Sequence, residues 1–252
     1  MMTAMTTNLL PPPITAPTQL TGALRDRGHA ALSAAGLRDI IAASASELDA
    51  LRPSWDDLPP DGHLRDGGRY RRRRHSCFIV DGSAVTQVPH RAHWQPVEYN
   101  ALHGGLERWF EPMHASVVAS PAWTALLRTL SAQCSAVKGA RPWYVEAHQF
   151  RIDTTDGIGR PTPEGAHRDG VDFVAVILID RQGIKGGETR VFDAAGPAGL
   201  RFTMSEPWTT LLLDDARVVH ESTPIQPLVA DGHRDTLVLT FRSGGFQGPP
   251  AI

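Results

Sequence analysis

Residues 161–180 read PTPEGAHRDGVDFVAVILID, and residues 211–224 read LLLDDARVVHESTP. The first stretch contains FVAVILI (173–179), apolar at every position, the pattern of a strand covered on both faces. Just before it, His167 and Asp169 stand two residues apart. On extended backbone, residues i and i+2 project from one face, so this pair can grip a single ion. His220 follows fifty-one residues after Asp169. Two histidines and one carboxylate in this arrangement form the ligand set that mononuclear non-haem Fe(II) favours.

A second His-x-Asp pair, His233 and Asp235, competes with the first. It cannot begin such a triad, because no histidine follows it. The first pair can take either His220 or His233 as its distal partner. A dicarboxylate bound beside the ion would also need a cation, and the planar fork of arginine suits a carboxylate best. With His233 as the ligand that cation would be Arg242, nine residues along one strand and about 30 Å away. With His220, a turn brings the chain back and Arg234 opens a neighbouring strand. Geometry therefore selects His167, Asp169 and His220, with Arg234 as the anchor. The HRD triplet also matches the protein-kinase catalytic loop, but that motif needs Asn five residues after its Asp, where Val174 stands.

Outward from this segment, strand-like runs recur at 143–153, 171–180, 187–193, 208–213, 216–220 and 234–242, which predicts a β-barrel or sandwich. The N-terminal half reads differently. Apolar spacing predicts helices over 37–51 and, from an N-cap at Ser120 and Pro121, up to Gly139. The stretch around Leu106 to Phe110 also reads as helical, and 69–80 as a strand with a basic start. Residues 1–18, with Pro11 to Pro13, read as a flexible arm. The expected organisation is one domain over 19–252, with a helical part at 19–140 packed on a β-barrel core mainly at 141–245.

The 252 residues carry a net charge of −2, which argues against a nucleic-acid partner. Two cysteines, Cys77 and Cys134, are too few for a disulfide framework or a cysteine zinc site. With no signal peptide and no long apolar stretch, a cytoplasmic protein without a membrane partner is expected. The oligomeric state stays open, a homodimer being compatible.

The combination PTPEGAHRDGVDF, GIKGGETRVFD, LLLDDARVVHESTPI and HRDTLVLTF resembles the bacterial Fe(II)/2-oxoglutarate-dependent dioxygenases that hydroxylate L-isoleucine, L-leucine and N-acyl amino acids. The resemblance covers roughly residues 69–242. It implies an α+β chain with a double-stranded β-helix (jelly-roll, cupin-like) core. It matches His167, Asp169 and His220 to iron ligands and Arg234 to the 2-oxoglutarate anchor. It further implies O2 as co-substrate, succinate and CO2 as products, ascorbate as a support in vitro, and a small amino-acid substrate. For that substrate the sequence offers Arg72 and Arg74, on one face of the basic run 71–74, or Arg71 and Arg73 on the other; Gln149 and Arg151 share a face of the strand HQFRI. Two other readings are a peptide hydroxylase on the same core and a non-catalytic cupin-type metal-binding protein.

Overall fold

Alternate residues of FVAVILI enter two different cores. Phe173, Ala175, Ile177 and Ile179 pack with the helices, whereas Val174, Val176 and Leu178 pack with a second layer of strands. Each buried side chain of this size contributes about 1.5–3 kcal/mol. One such strand therefore outweighs any surface ion pair, worth about 0–1 kcal/mol.

The computed structural model describes residues 9–249. In chain order its strands are β1 (His29–Leu32), β2 (Arg71–Asp81), β3 (Ala84–Gln87), β4 (Trp143–Asp153), β5 (Phe173–Gln182), β6 (Ile184–Gly186), β7 (Thr189–Asp193), β8 (Gly199–Phe202), β9 (Thr210–Asp214), β10 (Val218–Ser222), β11 (Ile225–Pro227) and β12 (His233–Arg242). The helices are α1 (Leu20–Arg27), α2 (Ala34–Ile41), α3 (Ala45–Asp49), α4 (Ala115–Val118) and α5 (Pro121–Lys138). An antiparallel sheet runs β1-β9-β5-β12-β4-β2-β3. Facing it are a three-stranded sheet, β10-β7-β8, and the pair β11-β6. Two facing antiparallel sheets of this kind make a jelly roll, and the helices cover the outer face of the larger one.

α5 forms where the periodicity places it, burying Trp123, Leu126, Leu127, Leu130 and Cys134. Pro121 sits in its first turn, but the Ser120 side chain makes no capping bond. Several local expectations are corrected. The helix expected over 37–51 breaks at Ala42, whose φ of 55° is left-handed, and restarts as α3 behind a Ser44–Glu47 capping box. Residues 106–110 form no helix. Arg108 instead exchanges backbone hydrogen bonds with His93, because this loop is organised by contacts distant in sequence. The part expected to be helical, 19–140, contributes β1, β2 and β3 to both edges of the large sheet. Residues 1–8 of the expected arm lie outside the described residues. Its remainder is tied down, since Leu10 accepts from the Thr203 amide and Thr15 donates to Ala31.

Candidate metal centre

His167 and His220 meet as a backbone pair. Each amide donates to the other's carbonyl at 3.0 Å, which sets the imidazoles side by side with centroids 4.7 Å apart. Asp169, two residues on, completes the group, and one donor atom from each of the three lies within 4.8 Å of the others. His167 Nε2 is 3.9 Å from Asp169 Oδ1, and His220 Nε2 is 3.8 Å from Asp169 Oδ2. Adjacent octahedral ligands about 2.1 Å from an ion stand about 3 Å apart. Inward movements of less than 1 Å (roughly) would thus close the group on a cation.

Neighbouring atoms fix this geometry. His167 Nδ1 lies 2.9 Å from the Gly165 carbonyl and can bond it only as a donor, so Nε2 keeps the lone pair a metal needs. The fully buried Asp215 carboxylate accepts from the amides of Asp169, Gly170 and Val171 at 3.0, 2.8 and 3.1 Å. Gly170 turns the loop at φ 73°, and a Cβ there would meet the Tyr99 ring at 2.4 Å. Gln95 Nε2 donates to Asp169 Oδ1 at 3.2 Å.

The two histidines differ electrically. Burial opposes a charge on His167, but Asp169 and Glu164 outweigh it and its pKa is raised. Burial, with His167 adding to it, pushes His220 down to about 3, so its ring is neutral and ready to ligate.

Arg234 reaches the same cavity, of about 110 Å³, from the opposite sheet. This corrects the sequence-based geometry: its strand, β12, pairs with β4 and β5, not with the strand that carries His220. Arg234 is 3% exposed, and its Nε and Nη2 have no partner among the described residues. Burial and Arg181 lower its pKa to about 10, which still leaves it cationic at neutral pH. Open, buried guanidinium donors facing a 2-His-1-carboxylate group fit an iron with a bound dicarboxylate. Apolar walls come from Phe150, Ile152, Val176 and Val238, and Glu164 and Thr162 also line the space.

The structure does not bring the other sequence-based candidates here. Register places Arg71 and Arg73 opposite Ile152 and Phe150, on the cavity face. Arg72, Arg74, Gln149 and Arg151 therefore point to the helical side. Arg72 approaches Asp153, Arg74 approaches Asp57, Gln149 bonds Ser54, and Arg151 pairs with Asp235. His233 lies near Asp180 and Asp235.

A second group escaped the sequence reading: His75, His93, Glu146 and His148, all buried, with donor atoms mutually within 4.8 Å. Its only local signal is Glu146-Ala147-His148, a carboxylate-x-His pair on a strand. Arg73 Nη2 lies 2.7 Å from His148 Nδ1. Arginine only donates, so the His148 proton sits on Nε2 and removes that lone pair from a metal. Glu146 is held well below the usual carboxylate range, because His93 and His75 outweigh its burial. A void of about 10 Å³, the size of one water, separates this group from Asp169.

The model of the family described as 2OG-Fe dioxygenase matches residues 52–240. A solved bsmA homologue from Methylobium petroleophilum PM1 is 54% identical, covering 94% of this chain and 97% of that one, with a TM-score of 0.89. IDO from Bacillus thuringiensis shares the fold at 17% identity, 92% and 97% coverage and TM-score 0.74. The Fe(II)/α-ketoglutarate-dependent dioxygenase TqaL does so at 19%, 92% and 90%, and 0.69. No protein of curated function matches.

Proposed function

The chain belongs to the 2OG-Fe dioxygenase family, which implies Fe(II), 2-oxoglutarate and O2, and on that premise we propose that it hydroxylates an aliphatic C–H bond of a small amino acid. The observation that carries this reading is one cavity holding both the His167, Asp169 and His220 group and the unpartnered donors of Arg234. When bound, iron would supply the oxidising chemistry with 2-oxoglutarate and O2: CO2 leaves the cosubstrate, one oxygen atom of O2 ends in the succinate carboxylate and the other enters the substrate as a hydroxyl group. His167, Asp169 and His220 would hold the metal and leave positions on it open to other ligands. Arg234 would hold the far carboxylate of 2-oxoglutarate, with the Thr236 and Ser222 side chains beside it.

The apolar walls orient an aliphatic side chain and keep water from the reacting carbon. So small an enclosed space, about 110 Å³, favours a compact substrate group over a folded peptide loop. The test is succinate release from 2-oxoglutarate by iron-loaded protein with ascorbate and a panel of free and N-acylated amino acids. Amino-acid-dependent succinate with a hydroxylated product supports the reading. Turnover coupled only to peptides would replace it with peptide hydroxylation. No succinate under any condition would sink both.

A further inference from the structure

Against the Phe150 wall of the metal cavity, and joined to Asp169 through Gln95, lies a buried surplus of hydrogen-bond donors. Arg71, His103 and Arg108 are 6%, 1% and 2% exposed. The Arg71 guanidinium bonds Asp61 through Nε at 2.7 Å, but its Nη2 has no partner among the described residues. Among the described residues Arg108 has no carboxylate within ion-pair distance; Nη2 donates to the neutral Gln95 Oε1 at 2.9 Å and Nε is left open. His103 Nε2 accepts from the Arg65 amide at 3.3 Å, so its proton is on Nδ1, which also points at no acceptor. Buried donors left unmet are costly, and open donors on two guanidiniums call for an anion. The same count argues against a second metal ion in the neighbouring histidine group, where Arg73 already donates.

These donors are coupled to the metal site. Gln95 accepts from Arg108 and donates to Asp169, so one amide group separates that guanidinium from a metal ligand. Asn100 ties His103 to that same amide, its Nδ2 donating to Gln95 Oε1 and its Oδ1 accepting from the His103 backbone amide at 2.7 Å. The Arg71 guanidinium lies 5.9 Å from the ring centroid of Phe150, a wall of the metal cavity. Glu164 Oε1 is 3.6 Å from His167 Nε2, while Oε2 is buried with no partner among the described residues. Glu164 thus offers an acceptor for an ammonium on the metal cavity, while donors for a carboxylate stand against its Phe150 wall and the Gln95 amide.

We propose that Arg71, His103 and Arg108 bind the carboxylate of a free α-amino acid and that Glu164 receives its ammonium group. This rests on the amino-acid reading above and sharpens it. Acylating the amine removes the charge Glu164 would meet, so free amino acids are the substrates and N-acylated ones are not. With apolar walls on the cavity, a neutral aliphatic side chain completes the ligand.

The test is anaerobic calorimetry on protein loaded with Fe(II) and 2-oxoglutarate, titrated with L-leucine, L-leucinamide and N-acetyl-L-leucine, alongside turnover. L-leucine should bind at least about tenfold tighter than either analogue. Arg108→Gln should weaken L-leucine by about 30-fold or more and leave L-leucinamide unchanged. Glu164→Gln should weaken L-leucine and L-leucinamide but not N-acetyl-L-leucine. If Arg108→Gln does not fold, Arg108→Lys, which keeps the charge and loses the Nε donor, should show the same pattern with a smaller loss. Unchanged L-leucine affinity in the Arg108 variant, or equal losses for L-leucine and L-leucinamide, would overturn the subsite while leaving the amino-acid reading standing. If no amino acid is turned over but N-acetyl-L-leucine binds wild type and not the Arg108 variant, the amino-acid reading fails and the carboxylate subsite remains. Absence of binding by all three compounds overturns the subsite.

Discussion

Replacing Asp215 tests whether the metal loop is built by a buried carboxylate. Its two oxygens take the amides of Asp169, Gly170 and Val171, and the residue is fully buried. Hydrogen bonds to a charged acceptor contribute about 1.5–3 kcal/mol each. The charge also has a cost: burial first, then the nearby Asp169 carboxylate, raises the Asp215 pKa. Asp215→Asn tips this balance against the loop. One oxygen survives, but an NH2 group now faces amides that can only donate. Relief of repulsion with Asp169 offsets part of that loss, yet the same change removes a negative charge near the cation. Loss of such an outer support typically weakens metal binding 10–100-fold. Fe(II) or Co(II) titration under anaerobic conditions should show a loss in that range, with far-ultraviolet circular dichroism preserved. Metal affinity within about twofold of wild type would refute the idea that these three bonds set the ligand geometry.

Four further outcomes are expected. Arg234→Ala should raise the 2-oxoglutarate requirement by the equivalent of about 2–5 kcal/mol while changing Fe(II) affinity little, as read by steady-state kinetics and metal titration. His220→Ala should abolish Fe(II) binding, whereas His233→Ala, whose ring lies by Asp180 and Asp235, should leave it nearly intact. Gly170→Ala should lower stability and metal affinity together, since φ 73° and the Tyr99 ring both oppose a side chain; unaltered urea midpoint and iron affinity would contradict this. Burial pushes the pKa values of His75, His93 and His148 down, His93 to about 3. The unfolded chain then binds protons below about pH 6.5 that the native state refuses. Stability of metal-free protein should therefore fall as pH drops from about 6.5 toward 3, by up to about 1.4 kcal/mol per pH unit per ring. His93→Gln should flatten that dependence in urea titrations.

What the sequence makes legible is local, and what it hides is long-range. FVAVILI declares a doubly covered strand because every position is apolar, and His167-x-Asp169 declares a shared face because backbone alternation is strict. Alternation also divides Arg71 and Arg73 from Arg72 and Arg74. It cannot say which pair faces in; the register of β2 on β4 decides, by setting Arg71 against Ile152 and Arg73 against Phe150. Asp215 carries no motif, since its three partners lie more than forty residues back. Arg108 sits in a stretch with apolar spacing that reads as helical, and only its pairing with His93 shows it to be extended and turned inward.

The same distinction explains how the site works as a whole. One face of the large sheet carries Arg71, Arg73, His75, Glu146 and His148 at its β2–β4 end and Arg234 on β12. The smaller sheets cover the β5 and β9 side of that face, and the loop 88–112 covers the remainder. Because that loop supplies His93, Gln95, His103 and Arg108, ligand recognition can vary with a segment that contributes no metal ligand. Gln95 is the one bond by which the loop touches the metal carboxylate directly. Substitutions in 88–112 should therefore alter substrate preference before they alter iron affinity, with Gln95 the exception: Gln95→Ala should disturb both.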